Sequence, residues 1–134
     1  MYSQGQGVNR DDVKAVQWLS KAAAAGNHIA QYSYGLMLYE GRGEKRNYGA
    51  ALDWYEKAAV QGNTKAMNNI GIMTALGHGT AESNVNAYAW FVAAARAGDE
   101  DATSNRDLTA DVLTPAELSE ANAGAERLRR RLAQ

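Results

Sequence analysis

A period of 36 residues organises most of this chain. When the sequence is written in rows of 36, three successive rows agree at seven columns without any insertion. The shared residues are Gly5/Gly41/Gly77, Gly7/Gly43/Gly79, Ala15/Ala51/Ala87, Trp18/Trp54/Trp90, Ala22/Ala58/Ala94, Ala23/Ala59/Ala95 and Gly26/Gly62/Gly98. Repeats of this length bury their apolar faces by stacking on their neighbours. The period therefore predicts a stack of similar units.

Each row carries the signals of two helices. A Gly-x-Gly turn such as Gly41–Gly43 follows the first helix, because glycine adopts positive φ at low cost. Residues that favour helix starts stand four positions after the second glycine, and each second helix ends at a glycine followed by Asn or Asp. These residues are Asp11, Asn47 and Ser83 at the starts, and Gly26-Asn27, Gly62-Asn63 and Gly98-Asp99 at the ends. We predict an all-α solenoid of antiparallel helix pairs, about 13 residues per helix.

Two kinds of residue are expected at the contacts between helices. Gly35 and Gly71 lie inside first helices, where glycine costs about 1 kcal/mol relative to alanine. Close helix packing is the expected compensation. The periodic tryptophans at 18, 54 and 90 are large and apolar, and we interpret them as the central core residue of each unit.

The period divides the 134 residues into one domain of about three and a half units. We predict a half repeat at 1–26, full repeats at 27–62 and 63–98, and a C-terminal capping helix pair at 99–134. In the last unit Asp107 replaces the packing glycine, and Thr114-Pro115-Ala116-Glu117 predicts a capping box that opens a helix to about Arg131. A polar end unit of this kind suits the native C-terminus of a stack.

The first unit lacks its opening helix in this alignment, so Trp18 and Leu19 should lose part of their cover. Two explanations stay open. The chain is a fragment of a longer array, or a second copy covers this surface and forms a homodimer through the Trp18 helix.

Composition excludes several classes of function. The net charge of −1 gives no long-range attraction for nucleic acid, and the apolar runs are too short for membrane insertion. The chain has no cysteine, which removes disulfides, thiolate nucleophiles and cysteine zinc sites. Its N-terminus has no basic segment followed by an apolar one, so we expect no signal peptide.

The sequence contains few residue patterns typical of catalytic or cofactor sites. His28 and His78 stand alone, and the acidic groups at 11–12 and 99–101 lie at predicted helix starts, where they complement the helix dipole. The repeated Gly-x-Gly lacks the third glycine of a phosphate loop. No serine has lysine three residues on, so a Ser-x-x-Lys nucleophile is absent. We expect neither an enzyme nor a metal or cofactor site. Arginines 127 and 129–131 could contact an acidic partner.

The repeated residues resemble the Sel1-like repeat family, a relative of tetratricopeptide repeats. The middle copy runs from Ala30 through Gly35 and Gly41–Gly43 to Ala51-Leu52-Asp53-Trp54-Tyr55-Glu56-Lys57-Ala58-Ala59, and ends at Gly62. The third copy runs from Ala66 to Gly98. The resemblance covers about residues 1–98 and implies a Sel1-like α/α superhelix. It also implies an adaptor or scaffold for a protein or peptide partner. Members are frequently bacterial, so we expect a soluble bacterial protein, in the cytoplasm or periplasm.

The same resemblance suggests where a partner binds. In tetratricopeptide superhelices the first helix of each repeat lines a concave face. The corresponding positions here are Ile29, Tyr32, Leu36, Tyr39, Lys65, Asn68, Asn69, Ile72, Leu76, Asp101, Ser104 and Leu108. Tyr32 and Tyr39 could anchor a partner or only pack between repeats, and Asn68 with Asn69 could clamp a peptide backbone or carboxylate. A structural homo-oligomer and a cell-wall, glycan or small-ligand binding module are the alternatives.

Overall fold

The computed structural model describes residues 10–133, which form seven α-helices and no strand. The helices are α1 (Arg10–Ala24), α2 (His28–Glu40), α3 (Tyr48–Val60), α4 (Thr64–Leu76), α5 (Asn84–Arg96), α6 (Glu100–Val112) and α7 (Pro115–Leu132). The predicted all-α fold is confirmed, and α2 to α6 each have the expected 13 residues.

The helix ends follow the capping pattern predicted from the repeat. Asn27, Asn63 and Asp99 each accept a hydrogen bond from the backbone amide three residues on, and Asn47 and Ser83 do the same in the second helices. The turn glycines adopt positive φ, from 72° at Gly41 to 102° at Gly98. The first turn, Gly5–Gly7, lies outside the described residues.

Asp11 is the exception among the predicted caps. Helix α1 already includes Arg10, so Asp11 lies in its first turn and is not the capping residue. A carboxylate in the first turn still interacts favourably with the positive end of the helix dipole.

Successive helices pack on one another along the stack. α2 pairs with α3 and α4 with α5, while the contacts of α1 with α2, α3 with α4 and α5 with α6 join the units. The last unit departs from this order, because α7 packs against α5 and makes little contact with α6. The expected capping helices at 99–134 are both present, but they do not form a pair like α2 and α3. Their connection is only Leu113 and Thr114, where the earlier pairs have seven residues.

The core is built on glycine–aromatic contacts. Tyr55 is 1% exposed and lies against Gly35, where an added Cβ would be 2.8 Å from the ring. Phe91 is 3% exposed and lies against Gly71, where the same distance is 2.5 Å. The predicted close packing at both glycines is therefore confirmed.

The prediction that tryptophan is the central core residue of each unit is wrong for Trp18 and Trp54 and holds for Trp90. Trp18 is 69% exposed, and Trp54 is half-buried between Tyr34 and Lys57. Trp90 is buried, and Arg131 of α7 lies over its ring. The reason is helical geometry, since neighbouring residues point about 100° apart around the axis. Tyr55 and Phe91, the residues after Trp54 and Trp90, face the first helix of their own unit, and each of these tryptophans lies to one side.

Helix α7 buries a stripe of small and apolar residues. Ala121, Ala125 and Leu128 are buried at spacings of four and three, as expected for one face of a helix. The capping box predicted at its start is confirmed: Thr114 accepts from the amide of Glu117 at 3.1 Å, and the Glu117 carboxylate accepts from the amide of Thr114 at 2.9 Å. Among the described helices, none is long and apolar enough to span a membrane.

Candidate interaction surface

Helices α2, α4 and α6 are the first helices of three successive units, and their shared surface is called the first-helix face here. Leu36, Ile72 and Leu108 occupy one column of the 36-residue repeat on this face. Leu36 and Ile72 are half-buried and Leu108 is 66% exposed. Equivalent positions in successive units thus present one continuous apolar ladder.

Two neighbouring cavities lie along this ladder. The cavity between α2 and α4 has a volume of about 160 Å³ and is lined by Leu36, Tyr39, Glu40, Tyr55, Asn69, Ile72 and Met73. The second, of about 260 Å³, lies between α4 and α6 and is lined mainly by Ile72, Leu76, Phe91, Asn105, Leu108 and Val112. Ile72 belongs to both walls, so the two cavities adjoin and form a stepped groove across the units.

One polar group in the groove lies against the core. The Asn69 side chain lies beside the hydroxyl of Tyr55, whose ring is almost fully buried. Burial raises the pKa of Tyr55 well above its ordinary value, and Asn69 opposes that shift only in part. Asn69 therefore lies at the wall of the groove, between Tyr55 and the apolar ladder.

Asn68 does not occupy the outward position expected for a peptide clamp. It is 8% exposed, and its side-chain oxygen accepts a hydrogen bond from Asn105 at 3.0 Å. The bond joins α4 to α6, because the two asparagines stand 37 residues apart and face each other across adjacent units. Asn68 therefore stabilises the stack, and Asn105 is the residue that reaches the groove.

Tyr39 contacts the next unit as well as the groove. Its hydroxyl lies 2.7 Å from Nδ1 of His78 in the following Gly-x-Gly turn, and the His78 ring stacks on Tyr48 with centroids 4.4 Å apart. Burial raises the pKa of Tyr39. Tyr39 thus packs between repeats and also lines the first cavity, so the two interpretations of this residue are compatible.

The remaining predicted positions lie around the groove and do not line it. Ile29 and Lys65 are exposed near the starts of α2 and α4, and Asp101 and Ser104 are exposed on α6. Tyr32 is half-buried with its ring 5.8 Å from that of Tyr55. The structure brings Leu36, Tyr39, Asn69 and Ile72 together in one cavity.

Sequence reasoning missed Val112, which lines the second cavity beside Leu76. The signal was available, since Leu76 and Val112 are 36 residues apart and both are large, exposed and apolar.

The surface carries groups suited to noncovalent binding. Within the described part of the chain, no cluster of three or more His, Cys, Asp or Glu side chains could hold a metal ion. His78 is engaged with Tyr39, and His28 lies 3.2 Å from the Asn63 amide. What the groove offers is apolar side chains flanked by amide groups.

The family model described as Sel1 repeat matches residues 1–27, 28–63 and 64–99. The chain therefore belongs to the Sel1 repeat family, as the repeated residues indicated. Proteins of this family are generally scaffolds for protein interaction and are typically not enzymes. A comparison with curated proteins gives no match.

Solved structures share the fold. The protective antigen c5321 of uropathogenic Escherichia coli strains, which displays an SLR fold, is 34% identical with a TM-score of 0.85, over 90% of this chain. This chain spans only 26% of that antigen. A Sel1 repeat protein from Oxalobacter formigenes is 35% identical with a TM-score of 0.67, over 74% of this chain and 73% of its own. Cysteine-rich protein B of Helicobacter pylori is 26% identical with a TM-score of 0.65, over 72% and 71% of the two chains.

Proposed function

We propose that the protein is a scaffold that binds a peptide segment of a partner protein along the first-helix face. The observation that carries the proposal is the apolar ladder of Leu36, Ile72 and Leu108 with its two adjoining cavities. Scattered exposed apolar residues are normal on a protein surface, whereas a contiguous apolar groove marks an interaction site.

The chemistry of the groove favours an extended segment with apolar side chains. Two such side chains would enter the two cavities on either side of Ile72, and the amides of Asn69 and Asn105 lie where they could bond to the peptide backbone. The Asn105 amide is already oriented by its hydrogen bond to Asn68. A pre-oriented site loses less conformational entropy on binding.

A photo-crosslinking amino acid placed at Leu108 would test this face directly. Leu108 is exposed, so the substitution should leave the fold intact, and its side chain lines the second cavity. Crosslinks formed in extracts of the source cells should identify a partner peptide by mass spectrometry. Ile72→Glu in the same chain should abolish the crosslink, because it places a charge in both cavities.

Val60 provides the matched control. It is an exposed apolar residue on the second helix α3 and lines neither cavity. The crosslinker at position 60 should capture no specific partner, and Val60→Glu should leave capture through position 108 unchanged. If positions 60 and 108 capture the same proteins, or Ile72→Glu has no effect, the first-helix face is not the binding surface.

A homo-oligomer formed through α1 is the second candidate function, and the exposed indole of Trp18 favours it. Sedimentation velocity over a hundredfold range of concentration would detect it. A dimer that Trp18→Lys converts to a monomer would support the oligomer. A monomer at every concentration would eliminate it.

A further inference from the structure

A third cleft lies on the second-helix side of the stack, between α3 and α7. Its volume is about 560 Å³, the largest of the cavities described, and within the range of pockets that bind small ligands. Ile70, Ala89 and Trp90 contribute an apolar floor. One wall carries Leu52 and Glu56 of α3, and the other carries Arg127, Leu128 and Arg131 of α7.

The cleft exists because α7 departs from the repeat. Since α7 packs on α5 and not on α6, its last turns lie opposite α3. Glu56 of α3 and Arg131 of α7 are close enough for their charges to interact across the gap. This site therefore spans three units, from α3 of the repeat at 27–62 to α7 of the last unit, and regular repeats would not reproduce it.

The two arginines of the cleft are available for a ligand. Arg127 and Arg131 are four residues apart and line the same cleft, and no ion pair joins either to an acidic side chain within residues 10–133. Two other arginines nearby, Arg129 and Arg96, both pair with Glu126. Arg131 lies over the Trp90 ring, 5.9 Å from its centroid, so its guanidinium adjoins the apolar floor.

Glu56 is the only acidic residue in the wall, so two arginines and one glutamate leave the cleft with a net charge of +1. Partial burial raises the pKa of Glu56, as does the neighbouring Asp53, and Arg131 opposes both effects. Arg131 therefore offsets only part of the effect of burial and of Asp53 on the Glu56 carboxylate.

We propose that this cleft binds an acidic peptide segment in which a carboxylate side chain stands beside an apolar one. Carboxylates form paired hydrogen bonds with guanidinium groups, and Arg127 and Arg131 present two of them on one side of the cleft. The apolar side chain of the peptide would lie on Trp90 and Leu128. The site is separate from the first-helix face, so the protein would hold two different segments at once.

Fluorescence anisotropy with a labelled peptide of alternating Glu and Leu, ten residues long, tests the proposal on the full chain. The same peptide with Gln in place of Glu should bind at least about tenfold more weakly, because the charge-assisted hydrogen bonds are lost. Arg127→Gln with Arg131→Gln should weaken binding of the acidic peptide by a similar factor. Glu56→Gln should strengthen it about two- to threefold, because the opposing charge is removed.

Arg130→Gln is the control. It removes one positive charge from an exposed position of α7 that does not line the cleft. It should change affinity less than twofold. Leu108→Glu, which disrupts the first-helix face, should also leave acidic-peptide binding unchanged.

Three results would overturn the assignment: no binding of the acidic peptide at millimolar concentration, equal binding by the double arginine variant and the wild type, or loss of binding in Leu108→Glu. The last result would place the peptide on the first-helix face and so support the function proposed above. Circular dichroism of each variant confirms that the helices remain folded.

Discussion

At the scale of single residues, two close contacts join a glycine inside a first helix to an aromatic ring of the following helix. Gly71→Ala would place a methyl group 2.5 Å from Cε1 of Phe91, which is buried and cannot move into solvent. Overpacking costs about 1–3 kcal/mol, and alanine recovers about 1 kcal/mol through helix propensity. We expect a net loss of up to about 2 kcal/mol in the free energy of unfolding, measured by urea denaturation.

Gly49→Ala is the control for this change. Gly49 is an exposed residue in the first turn of α3, and the nearest atom to an added Cβ is the Asn47 side-chain oxygen at 3.6 Å. The same substitution should therefore stabilise the protein by about 0.5–1 kcal/mol. If both variants are stabilised, the contact between Gly71 and Phe91 is looser than the structure shows.

Tyr55 should make the protein sensitive to alkaline pH. Burial raises its pKa above the ordinary value of 10.0. As the pH rises past that value, the unfolded chain loses the phenolic proton before the folded chain does, so the free energy of unfolding falls. Tyr55→Phe should reduce the slope of stability against pH between about 9 and 11. The measurement is the urea midpoint at each pH.

Phenylalanine already occupies the equivalent position, residue 91, in the next unit. The fold therefore accepts this ring, and Tyr55→Phe should cost only about 1 kcal/mol at neutral pH through the lost interactions of the hydroxyl group, which lies beside Asn69. An unchanged slope would mean that other groups govern the alkaline transition.

At the scale of elements, the helices were predictable from the sequence and the packing of the last one was not. Glycine turns and Asn, Asp or Ser caps depend on local backbone geometry, which the sequence encodes directly. The partner of α7 depends on a longer-range competition between α5 and α6. The two-residue connection after Val112 and the side chain of Asp107 disfavour packing of α7 on α6. Both effects depend on how the helices are arranged in three dimensions.

Some features of the binding surface were likewise predictable from the sequence, and others were not. Leu36, Ile72 and Leu108 could be assigned to one face from the period alone. The burial of Asn68 could not, because it follows from the bond to Asn105 in another unit. The core role of Tyr55 and Phe91 could not be assigned either, because the regular spacing of the tryptophans indicated the neighbouring position.

The capping box of α7 provides an element-scale prediction. Thr114→Ala removes the hydroxyl that accepts from the Glu117 amide, which should cost about 1 kcal/mol. Ser119→Ala, at an exposed position of the same helix, should cost much less. Hydrogen exchange should show faster exchange confined to the first turns of α7. Exchange that accelerates equally in α2 would show that the box stabilises the whole stack and not this helix alone.

At the scale of the whole molecule, each unit contacts mainly its neighbours, so the surfaces that α1 and α6 expose in the described residues bear on how copies associate. α1 is a second helix whose Trp18 is exposed, and α6 is a first helix that α7 leaves largely uncovered. Leu19 of α1 occupies the repeat column of Tyr55 and Phe91, and Asp107 of α6 occupies that of Gly35 and Gly71.

We therefore expect Asp107 to oppose end-to-end association of copies of the chain. Another copy that docked α1 on α6 would repeat the same contact at each step, and such head-to-tail contacts build open fibres. The Asp107 side chain fills the site that a docking residue needs, and its burial there would leave a charge without solvent. Asp107→Gly should produce light scattering that increases with concentration and time, while Asp111→Gly, one turn away, should not. The Asp107 carboxylate, which occupies the repeat column of two glycines, would then keep copies of the chain apart.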